Sequence, residues 1–354
     1  MGLGFRLFAR PIVSLMDSEK AHKRAITSLK LTSKFFLGRF VLKTLYRPKK
    51  LPCDSLGFKF DNPLGLAAGM DKNADALIGW QSLGFGFIEV GGVTEHEQSG
   101  NVKPRMFRSN KNKALINRMG FNNVGSLKMA SALEKTPKLD IPVFLNVGKS
   151  KITEIQNAHL DYGKTVKRCS KYVDGFIINV SSPNTPNLRD LQNRDDIERI
   201  ITEVKQYSEN KPILVKISPD LANEQILAIV DISKNLGCSG IVATNTTTSR
   251  PNSEPPMNET GGLSGEPLRV RSTEVIRLIA DHTDGSWPII GVGGITSADD
   301  AWEKITNGAC LLQIYSTLVF NGAGSIKQII NGLEKKVRNE GLSGISEAVG
   351  LARR

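Results

Sequence analysis

Eight short apolar runs, set apart by polar stretches, govern what this chain can fold into. They occupy residues 64–68, 85–93, 142–147, 176–180, 213–217, 241–244, 289–292 and 311–314. Each is rich in Val, Ile, Leu or Phe and lacks clean alternation, the pattern of strands buried on both faces. Helix-like stretches lie between them, most clearly at 71–84, 196–208, 220–237, 297–308 and 325–341. Several open on Asp or Ser and close on Gly, the expected cap asymmetry. Strand–helix alternation repeated eight times predicts an α/β chain folded as a (β/α)8 TIM barrel, with a doubly wound sheet as the alternative. Two connections break the rhythm: 94–123 after the second run, and 247–263, with Pro251, Pro255 and Pro256, after the sixth. Loops of that length in a compact domain are usually functional or disordered.

Ahead of the barrel pattern stands a segment of different character. Residues 1–50 hold twelve Lys/Arg, Arg6 and Arg10 among them, against Asp17 and Glu19. That is +10 of the formal net charge of +12, so the remaining three hundred residues are close to neutral. Such asymmetry points to an anionic surface, either membrane or nucleic acid. The segment reads as short helices, one capped by Ser18 with Ala21, Ala25, Ile26 and Leu29 on one face. A second apolar face comes from Phe36, Leu37, Phe40, Val41 and Leu45. Pro48 and the stretch to Pro52 form a linker, dividing the chain into 1–50 and 51–354. A few short helices cannot bury both faces alone, so they lie on the barrel, on a membrane, or between the two. No apolar run approaches the roughly 18–20 residues of a spanning helix, and Arg6, Arg10 and Asp17 interrupt any signal-peptide core. The composition is also compatible with a mitochondrial transit peptide. Cys53, Cys169, Cys238 and Cys310 form no C-x-x-C pair, and His22, His96, His159 and His282 show no ligand spacing, so no metal site is expected.

Barrel enzymes carry their chemistry at the C-terminal strand ends, and here those ends are polar. The first strand ends in Ala67-Ala68-Gly69-Met70-Asp71-Lys72, and the third carries Asn146 and then Gly148-Lys149. The fourth empties into residues 179–186, NVSSPNTP, a stiff turn of hydroxyls, amides and prolines. The fifth holds Lys216 inside an apolar run. A buried lysine is costly unless paired, so its partner is either a bound anionic ligand or an acid from a neighbouring strand. The sixth ends in Thr244-Asn245-Thr246, the seventh in Gly291-Val292-Gly293-Gly294, and the eighth in Tyr315-Ser316. A Gly-rich turn after strand 7 with a hydroxyl after strand 8 is the phosphate site of phosphate-binding barrels. The mouth suits a phosphorylated planar cofactor and a small anionic, amide-bearing substrate.

These residues resemble those of the class 2, quinone-linked dihydroorotate dehydrogenases. The resemblance rests on NPLGLAAGMDK (62–72), LINRMGFNN (115–123), residues 179–186, ATNTT (243–247), GGLSG (261–265) and IIGVGGI (289–295). It implies oxidation of (S)-dihydroorotate to orotate in pyrimidine biosynthesis, with one FMN per subunit and a membrane quinone as electron acceptor. Class 1 enzymes lack the helical extension and usually carry Cys where Ser182 stands. By the resemblance, Ser182 is the base that removes the C5 proton while C6 gives hydride to the flavin. The FMN set becomes Ala68, Gly69, Met70, Asp71, Lys72, Gly92, Asn146, Asn179, Lys216, Thr244, Gly265, Gly294, Tyr315 and Ser316. The substrate set becomes Lys72, Asn117, Arg118, Met119, Gly120, Phe121, Asn179, Asn184, Asn245 and Thr246. Lys216 would neutralise negative charge on reduced flavin. Gly92 departs from the family's usual Thr or Ser. No histidine stands near Ser182 in the sequence, leaving Thr or water as the route for its proton. Residues 1–46 are expected on an anionic membrane surface, with no nucleic acid partner. The expected location is peripheral, on the cytoplasmic side of a bacterial inner membrane, the mitochondrial inner membrane being the alternative. Competing readings are a flavin barrel acting on another pyrimidine or on tRNA, which salt-dependent RNA binding would favour, and a non-enzymatic membrane module, which Lys72, Ser182 and Lys216 together oppose.

Overall fold

The computed structural model of the protein describes residues 15–185, 188–251 and 254–353. Arg6, Arg10 and Pro186 lie outside the described residues. A hairpin of β1 (Cys53–Ser55) and β2 (Phe58–Phe60) precedes β3 (Leu64–Leu66) and β4 (Phe87–Val93). Then come β5 (Met106–Ser109), β6 (Ala114–Asn117), β7 (Val143–Val147), β8 (Gly175–Asn179), β9 (Ile213–Lys216) and β10 (Gly240–Ala243). The strands end with β11 (Gly262–Gly265), β12 (Ile289–Val292) and β13 (Leu311–Ile314). The helices are α1 (Ser18–Lys34), α2 (Phe36–Tyr46), α3 (Leu77–Leu83), α4 (Gly125–Glu134), α5 (Ala158–Cys169) and α6 (Arg194–Tyr207). They continue as α7 (Asn223–Asn235), α8 (Arg269–His282), α9 (Ala298–Thr306), α10 (Ser316–Asn321) and α11 (Gly324–Asn339).

Eight of the strands close into a parallel barrel in the order β10-β12-β13-β3-β4-β7-β8-β9, β9 pairing back onto β10. These are the eight apolar runs of the sequence, and the doubly wound alternative is excluded. Nearly every barrel residue is buried, which is why the runs show no alternation. The hairpin closes the barrel's lower end, with Phe58 and Phe60 set edge-on against Phe144 and Phe87. The two irregular connections are one structure. β5 and β6 form a hairpin within the first, β11 lies in the second, and β11 pairs antiparallel with β6 from Gly262↔Asn117 to Gly265↔Ala114.

Local chemistry shifted several element ends. The expected helix 71–84 begins only at Leu77, because the Asp71 carboxylate accepts from the N–H groups of Asp75 (2.7 Å) and Ala76 (2.8 Å) and from Trp80 Nε1 (3.1 Å). Those bonds wind residues 71–76 into a turn around the carboxylate, with Ala74 at φ +57. α1 is capped by Asp17, not Ser18: the Asp17 side chain accepts from Lys20 N at 2.9 Å. Its inner face is Ala21, His22, Ile26 and Leu29, with Leu29 packed on Gly79 of α3, whereas Ala25 is exposed. α2 also packs on α3, through Leu42 and Tyr46 against the core. Its other apolar face has no partner among the described residues, Phe36 being 75% and Leu37 70% exposed, with Phe40, Val41 and Leu45 also exposed. No helix among the described residues is long and apolar enough to cross a membrane.

Candidate active site

The barrel's C-terminal mouth opens into a cavity whose empty space is about 1070 Å3, open solvent at its entrance included. It gathers residues from every barrel strand. From the expected sets it brings together Ala68, Gly69, Lys72, Gly92, Asn117, Met119, Gly120, Phe121, Asn146, Asn179, Ser182, Asn184, Lys216, Thr244, Asn245, Thr246, Gly265, Gly294, Tyr315 and Ser316. Three expected residues stand outside its lining. Met70 is buried in the core, Asp71 is spent on the turn described above, and Arg118 pairs with Glu259 at 2.7 Å and lies over the Phe107 ring.

The loop after β8 presents its two serines differently. Ser181 is fully buried, with Oγ donating to Asn179 Oδ1 (3.3 Å) and accepting from Asn245 Nδ2 (3.0 Å). Ser182 faces the cavity, and its Oγ accepts from Asn184 N at 3.3 Å. Across the cavity Asn184 Nδ2 donates to Asn117 Oδ1 (3.2 Å), tying this loop to β6. Arg189 pins the loop from behind: Nε donates to Ser181 O (3.2 Å), Nη2 to Thr246 O (3.3 Å) and Nη1 to Asp220 (2.9 Å). Thr185 Oγ1, three residues after Ser182, is buried without a hydrogen-bond partner among the described residues. On the side facing α1, Lys72 Nζ donates to Asn122 Oδ1 at 2.7 Å. Burial, and next the charge of Arg105, push Lys72 down to about 7. His22 on α1 is pushed down to about 4, by burial first and by Lys72's charge second. It is a neutral ring at pH 7 beside the site, a neighbour the sequence did not reveal.

The floor of the cavity answers the question posed by Lys216. Its partner is Glu89 on β4, fully buried, whose two oxygens both lie 3.3 Å from Nζ. The acid comes from across the barrel interior, three strands away in the sheet order. Glu89 stands inside an apolar run just as Lys216 does, so the same signal marks both.

At the opposite wall, Gly293 and Gly294 turn after β12 with φ +123 and +69. A Cβ on Gly294 would come within 2.6 Å of Arg269 Cα, so the turn needs glycine there. Ser272 Oγ on α8 donates to Gly293 O at 3.1 Å. Beneath it lies Lys304 of α9, fully buried, donating to Ser272 Oγ (2.5 Å), Thr273 Oγ1 (3.0 Å) and Arg269 O (3.4 Å). Burial pushes Lys304 down to about 7. Its place on the inner face of α9, between Ala301 and Ile305, was the sequence signal for it. Gln313 on β13 also lines the cavity, and both atoms of its buried amide lack a partner among the described residues. No group of His, Cys, Asp and Glu that could hold a metal ion occurs among the described residues.

The profile of the family described as "Dihydroorotate dehydrogenase" matches residues 50–337. A relative named "Dihydroorotate dehydrogenase (quinone)" from Trichodesmium erythraeum is 50% identical over 306 residues, 83% of this chain and 81% of its own length. One of the same name from Gloeobacter violaceus is 44% identical over 346 residues, covering 97% of this chain and 98% of the relative. Among solved structures, that of DHODH from Eimeria tenella in complex with ferulenol superposes with a TM-score of 0.86 at 33% identity, covering 95% of this chain and 96% of that one.

Proposed function

The chain belongs to the dihydroorotate dehydrogenase family, in its quinone-dependent branch, and from that premise we propose which of its residues carry the reaction. It is an oxidoreductase that oxidises dihydroorotate to orotate in pyrimidine biosynthesis. The family uses a flavin and a quinone, and FMN is the flavin proposed for this site. The residues present fit that group. The glycine turn at 293–294 with Ser316 suits a phosphate, and the unpartnered amide of Gln313 awaits both a donor and an acceptor. Lys216 supplies positive charge on the cavity floor. FMN, when bound, supplies the acceptor for the hydride that leaves C6 of dihydroorotate.

Ser182 takes the C5 proton, and hydride loss from C6 completes the C5=C6 double bond. Asn117, Asn179, Asn184 and Asn245 hold the pyrimidine, because a side-chain amide offers one donor and one acceptor to each edge of an imide. Thr246, Met119, Gly120 and Phe121 complete that wall, and Lys72 stands between substrate and cofactor. Thr185 Oγ1, buried and unpartnered on the same loop, is the hydroxyl proposed to relay the Ser182 proton outward. The observation that carries this reading is the cavity itself, where Ser182, the four asparagines, Lys72 and Lys216 converge.

Quinone-dependent enzymes of this family are in general peripheral membrane proteins. We propose that residues 1–50 form the membrane-associating and quinone-access unit of this chain, and that residues 51–354 form the FMN barrel. The unpartnered apolar face of α2, beside Lys34, Arg39 and Lys43, supports docking on an anionic bilayer, on the cytoplasmic side of a cell inner membrane. The test compares the full chain with one lacking residues 1–46. Both are expected to purify yellow with bound FMN and to bleach with dihydroorotate, while quinone reduction and binding to anionic liposomes fall in the shorter chain. Colourless full-length protein, or no turnover, would refute the catalytic reading. Equal quinone kinetics in the two chains would refute the role of the N-terminal unit.

A further inference from the structure

We propose that Glu89 is a positioning residue for the reaction. It sets how much of the Lys216 charge the cofactor meets, and it fixes the polarity of the amides that hold the substrate. The inference rests on FMN occupying the cavity described above.

Glu89 does not line the cavity. It lies beneath the floor with no exposure, while Lys216, Asn146, Asn179 and Asn245 stand above it and face inward. Its carboxylate is shared between two partners, Lys216 Nζ at 3.3 Å and Asn146 Nδ2 at 2.5 Å. A carboxylate can only accept, whereas a side-chain amide can turn either end outward. Asn146 must therefore give its NH2 to Glu89 and turn its carbonyl oxygen to Asn179 Nδ2, at 3.0 Å. Asn179 Oδ1 in turn accepts from Asn245 Nδ2 (3.2 Å), and Asn245 Oδ1 accepts from Thr246 N (2.8 Å). Every amide in this chain donates toward the acid. One acceptor-only group at the end thus decides which way Asn146 faces the cofactor and which ends of Asn179 and Asn245 meet the pyrimidine.

The same oxygens hold the negative charge opposite Lys216. In the low-dielectric barrel interior an unpaired cation would act at full strength on any charge formed above it. The pair attenuates that pull, so the cofactor is less readily reduced than beside a lone lysine. Removing the acid while keeping the lysine should raise the reduction potential.

The experiment is Glu89→Gln in the FMN-loaded enzyme, reading the two-electron potential of bound FMN by dye equilibration and the affinity for orotate by flavin absorbance. At pH 7 the equilibrium constant for reduction is expected to rise about tenfold, about 30 mV for a two-electron couple. The orotate Kd is expected to rise at least about tenfold, since a glutamine no longer dictates the amide direction. Glu89→Asp, which keeps an acceptor-only anion, should recover most of both values. Should Glu89→Gln fold poorly with its lysine unpaired, the substitution is made in a Lys216→Gln background, where the double variant leaves no charge stranded, and must still raise the potential relative to Lys216→Gln alone. A potential unmoved by Glu89→Gln in both backgrounds, with FMN bound in full, overturns the proposal. So does an unmoved orotate Kd. A merely structural acid would lower FMN occupancy and the melting temperature without moving the potential of the FMN that remains. A wild-type protein that binds no FMN would instead fail at the reading of the site itself.

Discussion

Lys304→Met should flatten the stability of this enzyme against pH. Lys304 is fully buried, with three uncharged oxygens as partners and no carboxylate among them. Burial pushes its ammonium down to about 7, whereas a lysine in the unfolded chain titrates near about 10.4. Between those values the unfolded chain holds the proton and the folded one has released it. Stability therefore rises with pH across that window, by up to about 1.4 kcal/mol per unit. The folded-state penalty falls from about 4 kcal/mol at pH 7.5 to about 1 kcal/mol at pH 9.5, a gain on the order of 2–3 kcal/mol. For a chain of this size that corresponds to a rise in Tm of about 3 °C. Methionine fills a similar volume and carries no proton, so the contribution vanishes. The assay is urea unfolding or calorimetry of both proteins in excess FMN at pH 7.5 and 9.5. The readout is the difference between them, because Lys72, also pushed down to about 7, titrates in both. Parallel pH profiles would refute the assignment of a neutral Lys304 beneath the glycine turn at 293–294.

Gly92→Ser adds a side chain whose Cβ would lie 2.6 Å from the Phe121 ring. Displacing that ring is expected to lower stability by about 1–3 kcal/mol in urea unfolding and to change orotate affinity, and an unchanged urea midpoint would count against the packing described. Arg189→Met releases the carbonyls of Ser181 and Thr246 from a common anchor. Steady-state kinetics should show kcat reduced about 10- to 100-fold with FMN retained, and an unaltered kcat would remove Arg189 from the positioning of Ser182.

The barrel was legible because parallel strands enclosed on both faces must be apolar throughout. Eight such runs in sequence leave little architectural choice. The mouth was legible for the converse reason: Asn146 and Lys216 are polar interruptions where a purely structural strand would have none, and Asn245 follows directly on the sixth run. Less legible was what depends on a partner far along the chain. Glu89 is a single acid within the run of β4, and only the closed barrel sets it against Lys216, 127 residues away. The late start of α3 was hidden for a local reason, since Asp71 reads as a helix cap yet satisfies a tighter turn. For Arg118 the motif implies only backbone at the substrate wall, and the pairing of its guanidinium with Glu259 depends on the second excursion, 141 residues on.

The pairing of β6 with β11 bears on how such enzymes could be recombined. The two excursions leave the barrel after its second and sixth strands, and each supplies the other's missing hydrogen bonds over four residue pairs. A chimera that exchanged one of them between related enzymes would strand a row of backbone donors and acceptors at the mouth. It would also shift Asn117, which sits at the end of that row facing the cavity. The two loops are therefore one module split across the chain. A laboratory recombination that moved them as a couple should keep orotate recognition, and one that separated them should lose it even with every catalytic side chain in place.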